Sequence, residues 1–419
     1  MDKFKIVGGR TLNGSVMASG SKNAALPILF ASILTKGECT FRRVPLLEDI
    51  HTTFKLLAQM GVEVDWKPEA NLAKVKAANL PSTEAPYDLV RKMRASVVVL
   101  GPLLAREGHA KVSLPGGCAI GARPIGFHLQ GLEKLGAKIT LENGYVIAEA
   151  KKLKGDRVAF PFPSVGATEN VMMAAVLAEG ETILENCAKE PEIVDLAGAL
   201  RAMGAKIEGD GTEVIRIQGV SSLHGADYSV MGDRIEAGTY LIAGLMTGGK
   251  VRVDGISPHH VESTLVALEA AGAKIERGKD HVVAESRGRP RSTDITTLPF
   301  PGFPTDMQAQ FMALMTVADG ASVITETIFE NRFMHVPELT RLGADITIRG
   351  NAAVVRGKEK LLGAPLMATD LRASASLILG GLCAEGETVV NRIYHLDRGY
   401  ESMEEKLKAL GAQVERLKG

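Results

Sequence analysis

The sequence predicts an α+β fold made by repetition of one small unit of helices and strands. One phrase recurs six times: an apolar helical stretch, a glycine, and then a short segment of alternating polarity. The six glycines are Gly61, Gly136, Gly204, Gly272, Gly343 and Gly411, at intervals of 75, 68, 68, 71 and 68 residues. Six such copies account for all 419 residues. So regular a period indicates a repeat architecture before any local motif is considered.

The recurring phrase predicts the end of a helix followed by a strand. In residues 200–208 (LRAMGAKIE) the apolar positions are spaced as on one face of a helix, and Gly204 supplies the left-handed position that ends it. Residues 206–208 then alternate between polar and apolar, which is typical of a half-buried strand. We therefore expect a helix, a left-handed glycine and a strand in every copy.

A second helix and strand precede each phrase. In the third copy, residues 168–177 (TENVMMAAVL) have a helical pattern, Gly180 closes the helix, and residues 181–185 (ETILE) alternate as a strand. The fifth and sixth copies repeat this order, with predicted helices at 306–317 and 370–382 and predicted strands at 321–325 and 387–390. Each copy is therefore helix, strand, helix, strand, with further short strands before the next copy.

The copy number also predicts two domains. A unit of about 70 residues buries little core alone, whereas domains commonly contain about 100–200 residues. Three copies per domain is the economical arrangement, so we expect one domain at 22–231 and a discontinuous one made of 1–21 and 232–419. The N-terminal segment has strands without a helix, and we expect them to join the C-terminal copies. The second crossing between domains should lie near residues 229–232.

The composition excludes several classes of protein. Lys+Arg and Asp+Glu are both 49 and the predicted pI is about 7.1, so no general field attracts nucleic acid or an anionic membrane. Apolar runs reach only 11 residues, and the N-terminus has no signal-peptide pattern, which predicts no membrane insertion and a cytoplasmic location. Four cysteines do not make a disulfide framework. We also expect no metal and no cofactor, because no metal-ligand spacing, P-loop or Rossmann motif is present.

Most residues that begin the first helices are ordinary caps. The six starts are Ser21-Lys22-Asn23, Arg94-Ala95-Ser96, Ser164 to Thr168, Asp233-Arg234, Thr305-Asp306 and Thr369-Asp370. Ser, Thr, Asp and Asn favour N-caps for structural reasons alone. Lys22 and Arg94 are different, because a cation near a helix N-terminus opposes the macrodipole. An anionic ligand at that place would make the cation favourable.

The second copy carries a loop with an unusual thiol. Residues 114–124 (LPGGCAIGARP) contain three glycines, two prolines and Cys118, a composition typical of a loop rather than of a packing element. The other cysteines (Cys39, Cys187 and Cys383) lie in apolar surroundings, as buried cysteines do. Cys118 is either a tolerated surface thiol or an acid or nucleophile that reaches a site when the loop closes. Arg123 nearby would stabilise its thiolate.

Further arginines occupy corresponding loops of later copies. Arg332 and Arg398 each lie beside an acid and could simply be paired surface residues. Together with Lys22, Arg94 and Arg123, they make a cationic set suited to a substrate with phosphate and carboxylate groups.

These residues resemble the enolpyruvyl transferases, and the resemblance covers essentially the whole chain. Its specific motifs are 20–25 (GSKNAA), 93–96 (MRAS), 115–124 (PGGCAIGARP), 164–170 (SVGATEN), 304–310 (PTDMQAQ), 369–372 (TDLR) and 397–399 (DRG). The resemblance implies two domains, each of three βαβαββ units in an inverse α/β barrel.

The resemblance also implies an activity and two substrates. The enolpyruvyl group of phosphoenolpyruvate is transferred to the 3-hydroxyl of UDP-N-acetylglucosamine, and phosphate is released by addition and elimination through a tetrahedral intermediate. This is the first committed step of peptidoglycan synthesis, which serves cell-wall formation, cell shape and division. We expect a monomer. Fosfomycin, a mimic of phosphoenolpyruvate that alkylates such a thiol, is the expected inhibitor.

The resemblance assigns roles to individual residues. Cys118 matches the thiol that protonates the enolpyruvyl methylene. Lys22, Arg123 and Arg398 match the cations that bind phosphoenolpyruvate. Asp306 matches the base for the sugar hydroxyl, and Asn23 matches the amide at the sugar. The positions that match the nucleotide-sugar site are Arg94, Arg123, Pro124, Ile125, Gly126, Phe127, Ser164, Val165, Gly166 and Ile328. Arg332, Asp370 and Arg372 complete the substrate-binding set.

One position departs from the family pattern. The family's loop usually carries an acid where this chain has Gly126, so only the backbone of Gly126 could contact the uridine.

Three other functions compete with this one. The sister reaction, with shikimate-3-phosphate as acceptor, belongs to enzymes that lack the cysteine loop. A ring-like DNA clamp would need an excess of basic residues. A catalytically silent paralogue would not need the intact set of catalytic residues.

Overall fold

Two compact units make up the part of the chain that the computed structural model describes, residues 2–114 and 125–419. Unit 1 contains residues 2–19 and 232–419, and unit 2 contains residues 20–114 and 125–231. The chain therefore passes from one unit to the other after residue 19 and again after residue 231.

The predicted glycine-terminated helices are confirmed in all six copies. The φ angles are +92° at Gly61, +92° at Gly136, +101° at Gly204, +100° at Gly272, +91° at Gly343 and +100° at Gly411. These values lie in the left-handed region, where glycine alone has no steric penalty from a Cβ atom. A strand begins two residues after each glycine.

The helices follow the predicted two per copy, with one short addition. In unit 2 they are α1 (Lys22–Ala31), α2 (Glu48–Gln59), α3 (Tyr87–Val90), α4 (Leu100–Glu107), α5 (Gly126–Lys134), α6 (Val165–Ala175) and α7 (Pro191–Ala202). In unit 1 they are α8 (Arg234–Met246), α9 (Pro258–Ala270), α10 (Gln308–Met315), α11 (Val336–Arg341), α12 (Leu371–Cys383) and α13 (Met403–Ala409). Short 3-10 helices lie at Ser32–Leu34, Pro68–Ala70, Arg94–Val99, Thr305–Met307 and Ile393–Arg398.

The strands are short, and most have alternating burial. In chain order they are β1 (Lys3–Val7), β2 (Asn13–Met17), β3 (Glu38–Arg42), β4 (Glu63–Lys67), β5 (Leu72–Lys76), β6 (Glu84–Ala85), β7 (His109–Ser113), β8 (Lys138–Glu142), β9 (Tyr145–Glu149), β10 (Arg157–Ala159), β11 (Glu181–Glu185), β12 (Lys206–Glu208), β13 (Val214–Gln218), β14 (Asp227–Ser229), β15 (Lys250–Asp254), β16 (Lys274–Arg277), β17 (His281–Glu285), β18 (Ile295–Thr296), β19 (Ala321–Thr325), β20 (Asp345–Arg349), β21 (Ala352–Arg356), β22 (Leu361–Leu362), β23 (Pro365–Met367), β24 (Ala384–Glu385), β25 (Glu387–Asn391) and β26 (Gln413–Leu417).

Each copy forms a four-stranded sheet with the same pairing pattern. In the second copy the order is β6-β7-β9-β8, with β6 parallel to β7 and the other pairs antiparallel. The sheets β14-β3-β5-β4, β10-β11-β13-β12, β16-β17-β15-β2, β18-β19-β21-β20 and β23-β25-β1-β26 repeat this pattern. The N-terminal strands complete two sheets of unit 1, since β1 lies between β25 and β26 and β2 pairs with β15.

The core of each unit is built around the first helices of its copies. In unit 1 all residues of α8 and α10 are buried, and α8, α10 and α12 pack on one another. In unit 2 α1, α4 and α6 are largely buried. The sheets surround these helices with one face of most strands exposed. Each sheet keeps two edge strands, so the described residues form no closed barrel. None of the described helices has the length and apolarity needed to span a membrane.

Candidate active site

A carboxylate in unit 1 is held by two buried arginines. Asp306 lies in the 3-10 helix Thr305–Met307, directly before α10. Its Oδ1 accepts a hydrogen bond from Arg332 Nη2 at 2.7 Å, and its Oδ2 accepts one from Arg372 Nη2 at 3.0 Å. The arginine side chains are only 6% and 4% exposed, whereas that of Asp306 is 27% exposed. The carboxylate is therefore the part of this cluster that a ligand can reach most easily.

The two arginines come from different copies. Arg372 lies in the first turn of α12, and its backbone N–H donates to the capping carboxylate of Asp370 at 2.9 Å. Burial would lower the pKa of Arg372, but the charge and hydrogen bond of Asp306, together with Tyr400 and Asp233, outweigh burial and raise that pKa above its ordinary value. Arg332 lies in the segment before α11 and also donates to Thr305 Oγ1 at 3.0 Å. Two charge-assisted hydrogen bonds thus fix the orientation of Asp306.

A buried polar network lies beneath Arg372. The Arg372 guanidinium stands 5.5 Å from the ring centre of Tyr400, a separation at which the ring face stabilises a cation. The Tyr400 hydroxyl lies 2.9 Å from Thr239 Oγ1 and accepts from Gln310 Nε2 at 3.0 Å. Gln310 Nε2 also donates to the carbonyl of Asp306 at 2.9 Å. The backbone and the side chain of Asp306 are therefore supported by one connected network.

Arg398 ends a 3-10 helix that is anchored from the C-terminal strand. The neighbouring Asp397 accepts from Arg416 at 2.6 and 3.1 Å, a bidentate pair between the helix and β26. The pKa of His395 is lowered by burial and by the charge of Arg398, while the charge of Asp370 opposes this shift. Asp370 and Arg398 are thus within electrostatic reach of the same imidazole, so unit 1 gathers five of the predicted site residues in one region.

Lys22 in unit 2 is paired with an acid of its own copy. Lys22 is the first residue of α1, and its Nζ lies 3.3 Å from Asp49 Oδ2 in the first turn of α2. The two side chains are 12% and 4% exposed. The positive end of the α1 dipole disfavours a cation at this place. The negative charge of Asp49 offsets this repulsion, so Lys22 can remain largely buried. Asn23 follows as the second, half-buried residue of α1.

Arg94 begins a helix, as predicted, but the first turns of this helix are 3-10 rather than α-helical. Residues Arg94–Val99 form a 3-10 helix, and α4 begins only at Leu100. Arg94 lies near His128 of α5, whose pKa is lowered to about 4 by burial and by the charge of Arg94. An added Cβ at Gly166 would be 3.1 Å from the His128 ring. Arg94, His128 and the start of α6 therefore meet in one region of unit 2.

The start of α6 presents a helix N-terminus. Ser164 is the N-cap, with its Oγ accepting from Ala167 N at 3.4 Å, and the first turn holds no acid. Ile125, Gly126 and Phe127 begin α5 and are half-buried. An added Cβ at Gly126 would meet nothing within 4 Å, so a side chain at this position has room among the described residues.

Three predicted site residues, Cys118, Arg123 and Pro124, lie outside the described residues. Among the other cysteines, Cys39 and Cys187 are buried, as expected, and Cys383 is partly buried. Burial raises the pKa of Cys187 to about 12, which keeps this thiol protonated and unreactive. The part of the chain that the structure describes contains no cluster of His, Cys, Asp and Glu able to hold a metal ion.

Sequence reasoning missed several residues that support the site. Asp49, His128, Tyr400 and Glu326 each contact or influence a predicted site residue. Asp49 could have been found from the sequence, because it is an acid at the start of α2 and Lys22 is a cation at the start of α1 in the same copy. Glu326 and Tyr400 carried no such signal, because their partners lie in other copies or in irregular segments.

The chain is similar over its full length to curated transferases. The family described as EPSP synthase (3-phosphoshikimate 1-carboxyvinyltransferase) matches residues 6–407. A UDP-N-acetylglucosamine 1-carboxyvinyltransferase of Nitratidesulfovibrio vulgaris (strain DP4) is 60% identical over 417 residues, 99% of each chain. A protein of the same description from Geobacter metallireducens is 58% identical over 418 residues, 100% of each chain.

Solved structures agree on the fold. The enolpyruvyl transferase NikO from Streptomyces tendae has a TM-score of 0.89 at 26% identity and covers 100% of this chain and 99% of its own. An EPSP synthase from Acinetobacter baumannii has a TM-score of 0.75 at 20% identity, with 100% of both chains covered. The chain therefore belongs to the EPSP synthase family of carboxyvinyltransferases, where its full-length relatives include the UDP-N-acetylglucosamine 1-carboxyvinyltransferases.

Proposed function

We propose that this chain transfers the enolpyruvyl group of phosphoenolpyruvate to the 3-hydroxyl of UDP-N-acetylglucosamine and releases phosphate, the first committed step of peptidoglycan synthesis. The observation that carries the proposal is 60% identity to a relative described by this activity, over 99% of both chains. The cluster of Asp306 with two buried arginines supports it, because the reaction needs a base among fixed positive charges.

Asp306 is the proposed base for the acceptor hydroxyl. The hydrogen bonds from Arg332 and Arg372 hold its carboxylate in one orientation, and its side chain is 27% exposed, so a substrate hydroxyl can approach it. As the hydroxyl oxygen bonds to C2 of the enolpyruvyl group, its proton passes to Asp306 and a second proton is added to C3. The tetrahedral intermediate then loses phosphate from C2 and a proton from C3, which restores the double bond.

Cys118 is the proposed donor of the proton to C3, and three cations are proposed to bind phosphoenolpyruvate. Lys22, Arg123 and Arg398 neutralise its phosphate and carboxylate groups, and guanidinium groups do this with paired donors. Lys22 is already largely buried beside Asp49. A fixed cation in such a position stabilises charge that develops in the intermediate without reorganising first.

Unit 2 is proposed to supply much of the nucleotide-sugar site. Ser164, Val165 and Gly166 form the start of α6, and backbone N–H groups at a helix N-terminus suit a diphosphate. Arg94 adds a cation in the same region. Ile125 to Phe127 and Ile328 are proposed to contact the nucleotide sugar, with Gly126 contributing only its backbone. Asn23 is proposed to contact the sugar, and Asp370 is proposed as a further substrate-binding residue. We further propose a cytoplasmic monomer that binds neither nucleic acid nor membranes.

The proposed activity is tested by offering two alternative acceptors and identifying the product. Purified protein is incubated with phosphoenolpyruvate and either UDP-N-acetylglucosamine or shikimate-3-phosphate, and the products are identified by mass spectrometry. An enolpyruvyl adduct of the nucleotide sugar alone is expected. An adduct of shikimate-3-phosphate alone would assign the sister reaction, for which the matching family is described.

The role of Cys118 is tested by two substitutions. Cys118→Ala should keep the fold and the affinity for the nucleotide sugar while turnover at neutral pH falls about 10²–10⁴-fold, the usual contribution of a positioned proton donor. Cys118→Asp should retain activity, because a carboxyl can also donate the proton, and should resist fosfomycin. Cys187→Ala is the matched control, since its buried thiol has no proposed role. Unchanged turnover in Cys118→Ala would remove the thiol from the mechanism.

A further inference from the structure

A second carboxylate, Glu326, lies behind the Asp306 cluster and accepts hydrogen bonds from neutral donors on both of its oxygens. Glu326 directly follows β19 and is 3% exposed. Its Oε2 accepts from Thr305 Oγ1 at 2.8 Å. Its Oε1 accepts from Thr297 Oγ1 at 2.8 Å, from Ile328 N at 2.8 Å and from Phe329 N at 3.2 Å. A carboxylate this deeply buried is retained only with such full compensation.

One branch of this network leads to Asp306. Thr305 Oγ1 donates to Glu326 and accepts from Arg332 Nη1 at 3.0 Å. The other terminal nitrogen of Arg332 donates to Asp306 Oδ1 at 2.7 Å. The direction of each bond is fixed, because an arginine only donates and an ionised carboxylate only accepts. The chain therefore runs from Glu326 through the Thr305 hydroxyl and Arg332 to the carboxylate of Asp306.

The other branch shapes the segment that carries Ile328. Two consecutive backbone N–H groups, those of Ile328 and Phe329, point at the same oxygen of Glu326. The ring centre of Phe329 lies 5.3 Å from the Arg332 guanidinium. Arg332 thus contacts Thr305 on one side and Phe329 on another, and both of these residues donate hydrogen bonds to Glu326.

We propose that Glu326 is a positioning residue for the transfer reaction, which orients Arg332 through Thr305 and so fixes Asp306 while it also sets the backbone at Ile328. This inference rests on the proposed function, since it assigns Asp306 to the acceptor hydroxyl. Glu326 itself is too deeply buried, at 3% exposed, to touch a substrate. Its negative charge keeps the Thr305 hydrogen pointed away from Arg332, which leaves a lone pair of Thr305 facing the guanidinium.

Glu326→Gln separates orientation from packing, because the amide has nearly the same shape. If the amide oxygen keeps the backbone donors, its NH₂ group faces Thr305 and competes with Arg332 for the same hydroxyl oxygen. We expect kcat to fall about 10-fold or more, the effect of one hydrogen bond to a charged group, with little change in KM for phosphoenolpyruvate. Thr305→Val should have a similar effect, because it removes the middle of the chain.

The double variant and a control make the test specific. If the two groups act through one path, Glu326→Gln combined with Thr305→Val should be no slower than the slower single variant. Thr316→Val, at the far end of α10, removes another buried hydroxyl that donates to a helix carbonyl at 2.6 Å. Its kcat should stay within about twofold of wild type. Multiplicative losses in the double variant, or wild-type kcat in Glu326→Gln, would overturn the proposal.

A readout without substrate separates this inference from the proposed function. In wild type and Thr316→Val, the two terminal nitrogens of Arg332 should give separate, slowly exchanging NMR signals, because both are held. In Glu326→Gln and Thr305→Val these signals should merge, and thermal unfolding checks that each variant is folded. If wild type lacks the transfer activity but shows held signals that Glu326→Gln releases, the proposed function fails and the orienting role stands. Signals that stay separate in both variants would contradict the role itself.

Discussion

Asp306 and Asp370 begin the first helices of successive copies, yet their carboxylates have different partners. Oδ1 of Asp370 accepts from two backbone N–H groups of α12, those of Arg372 and Ala373, as an ordinary N-cap. Both oxygens of Asp306 accept from guanidinium groups instead. Asp233 resembles Asp370 rather than Asp306, because its Oδ1 accepts from two backbone N–H groups at the start of α8. The repeat thus supplies equivalent scaffold positions, and the local partners decide which of them is suited to chemistry.

Asp306 and Asp370 have different partners because the backbone differs at the two helix starts. The fifth copy begins with a 3-10 helix at Thr305–Met307, with Pro304 at the N-cap position, before α10 starts. This places Asp306 inside the turn rather than directly before it. The sixth copy then contributes Arg372 from its own capped helix start. A cap in one copy therefore orients the cation that binds the carboxylate of its neighbour.

Asp306→Asn should produce the largest loss of activity. The amide keeps the shape but cannot accept the hydroxyl proton, so kcat should fall about 10²–10⁴-fold, as for other general bases. Asp233→Asn is the matched control, because Asn caps a helix as well as Asp does, and its loss of kcat should be far smaller. Steady-state kinetics of both variants decide the point, and normal turnover in Asp306→Asn would remove its role as the base.

Lysine substitutions should distinguish the two arginines that hold Asp306. Arg332 uses two terminal nitrogens on different partners, so Arg332→Lys loses one bond and should lower kcat/KM about 10-fold or more. Among the described residues, Nε and Nη1 of Arg372 have no hydrogen-bond partner. Arg372→Lys keeps the charge and needs to replace only one bond, so its effect should be smaller. Equal losses in the two variants would contradict the different geometries.

Two buried histidines should make both units less stable in mild acid. Burial is the main reason why the pKa values of His128 in unit 2 and His335 in unit 1 are lowered to about 4. The unfolded chain therefore binds more protons between about pH 6.5 and 4, so the free energy of unfolding falls as pH decreases through this interval. Each histidine contributes up to about 3 kcal/mol of this loss. His128→Gln should show a smaller drop in melting temperature from pH 7 to 5 than wild type; an equal drop would contradict this.

Equivalent glycines should differ in their tolerance of alanine. At Gly136 an added Cβ meets nothing within 4 Å, so Gly136→Ala should lower the free energy of unfolding by about 1 kcal/mol from the left-handed backbone alone. At Gly61 the Cβ would lie 2.4 Å from Pro81 Cδ, so Gly61→Ala should be more destabilising. Thermal unfolding of the two variants makes the comparison, and a larger loss at Gly136 would contradict it.

The repeat predicted the fold well because its signals are local. A left-handed glycine, a helical spacing and a strand alternation each depend on a few neighbouring residues, and all six glycines have the expected φ. The 3-10 helix at Arg94–Val99 was missed, since its residues fit the pattern of either helix type. The residues behind the site were also missed. Glu326 contacts Thr297 and Thr305, whose distance in sequence gives no periodic signal.

The proposed transfer is tested most directly by the release of phosphate from phosphoenolpyruvate, measured with and without UDP-N-acetylglucosamine. We expect release that depends on the nucleotide sugar and reaches one phosphate per acceptor consumed. Release without the acceptor, or none with a folded protein and both substrates present, would contradict the proposed transfer.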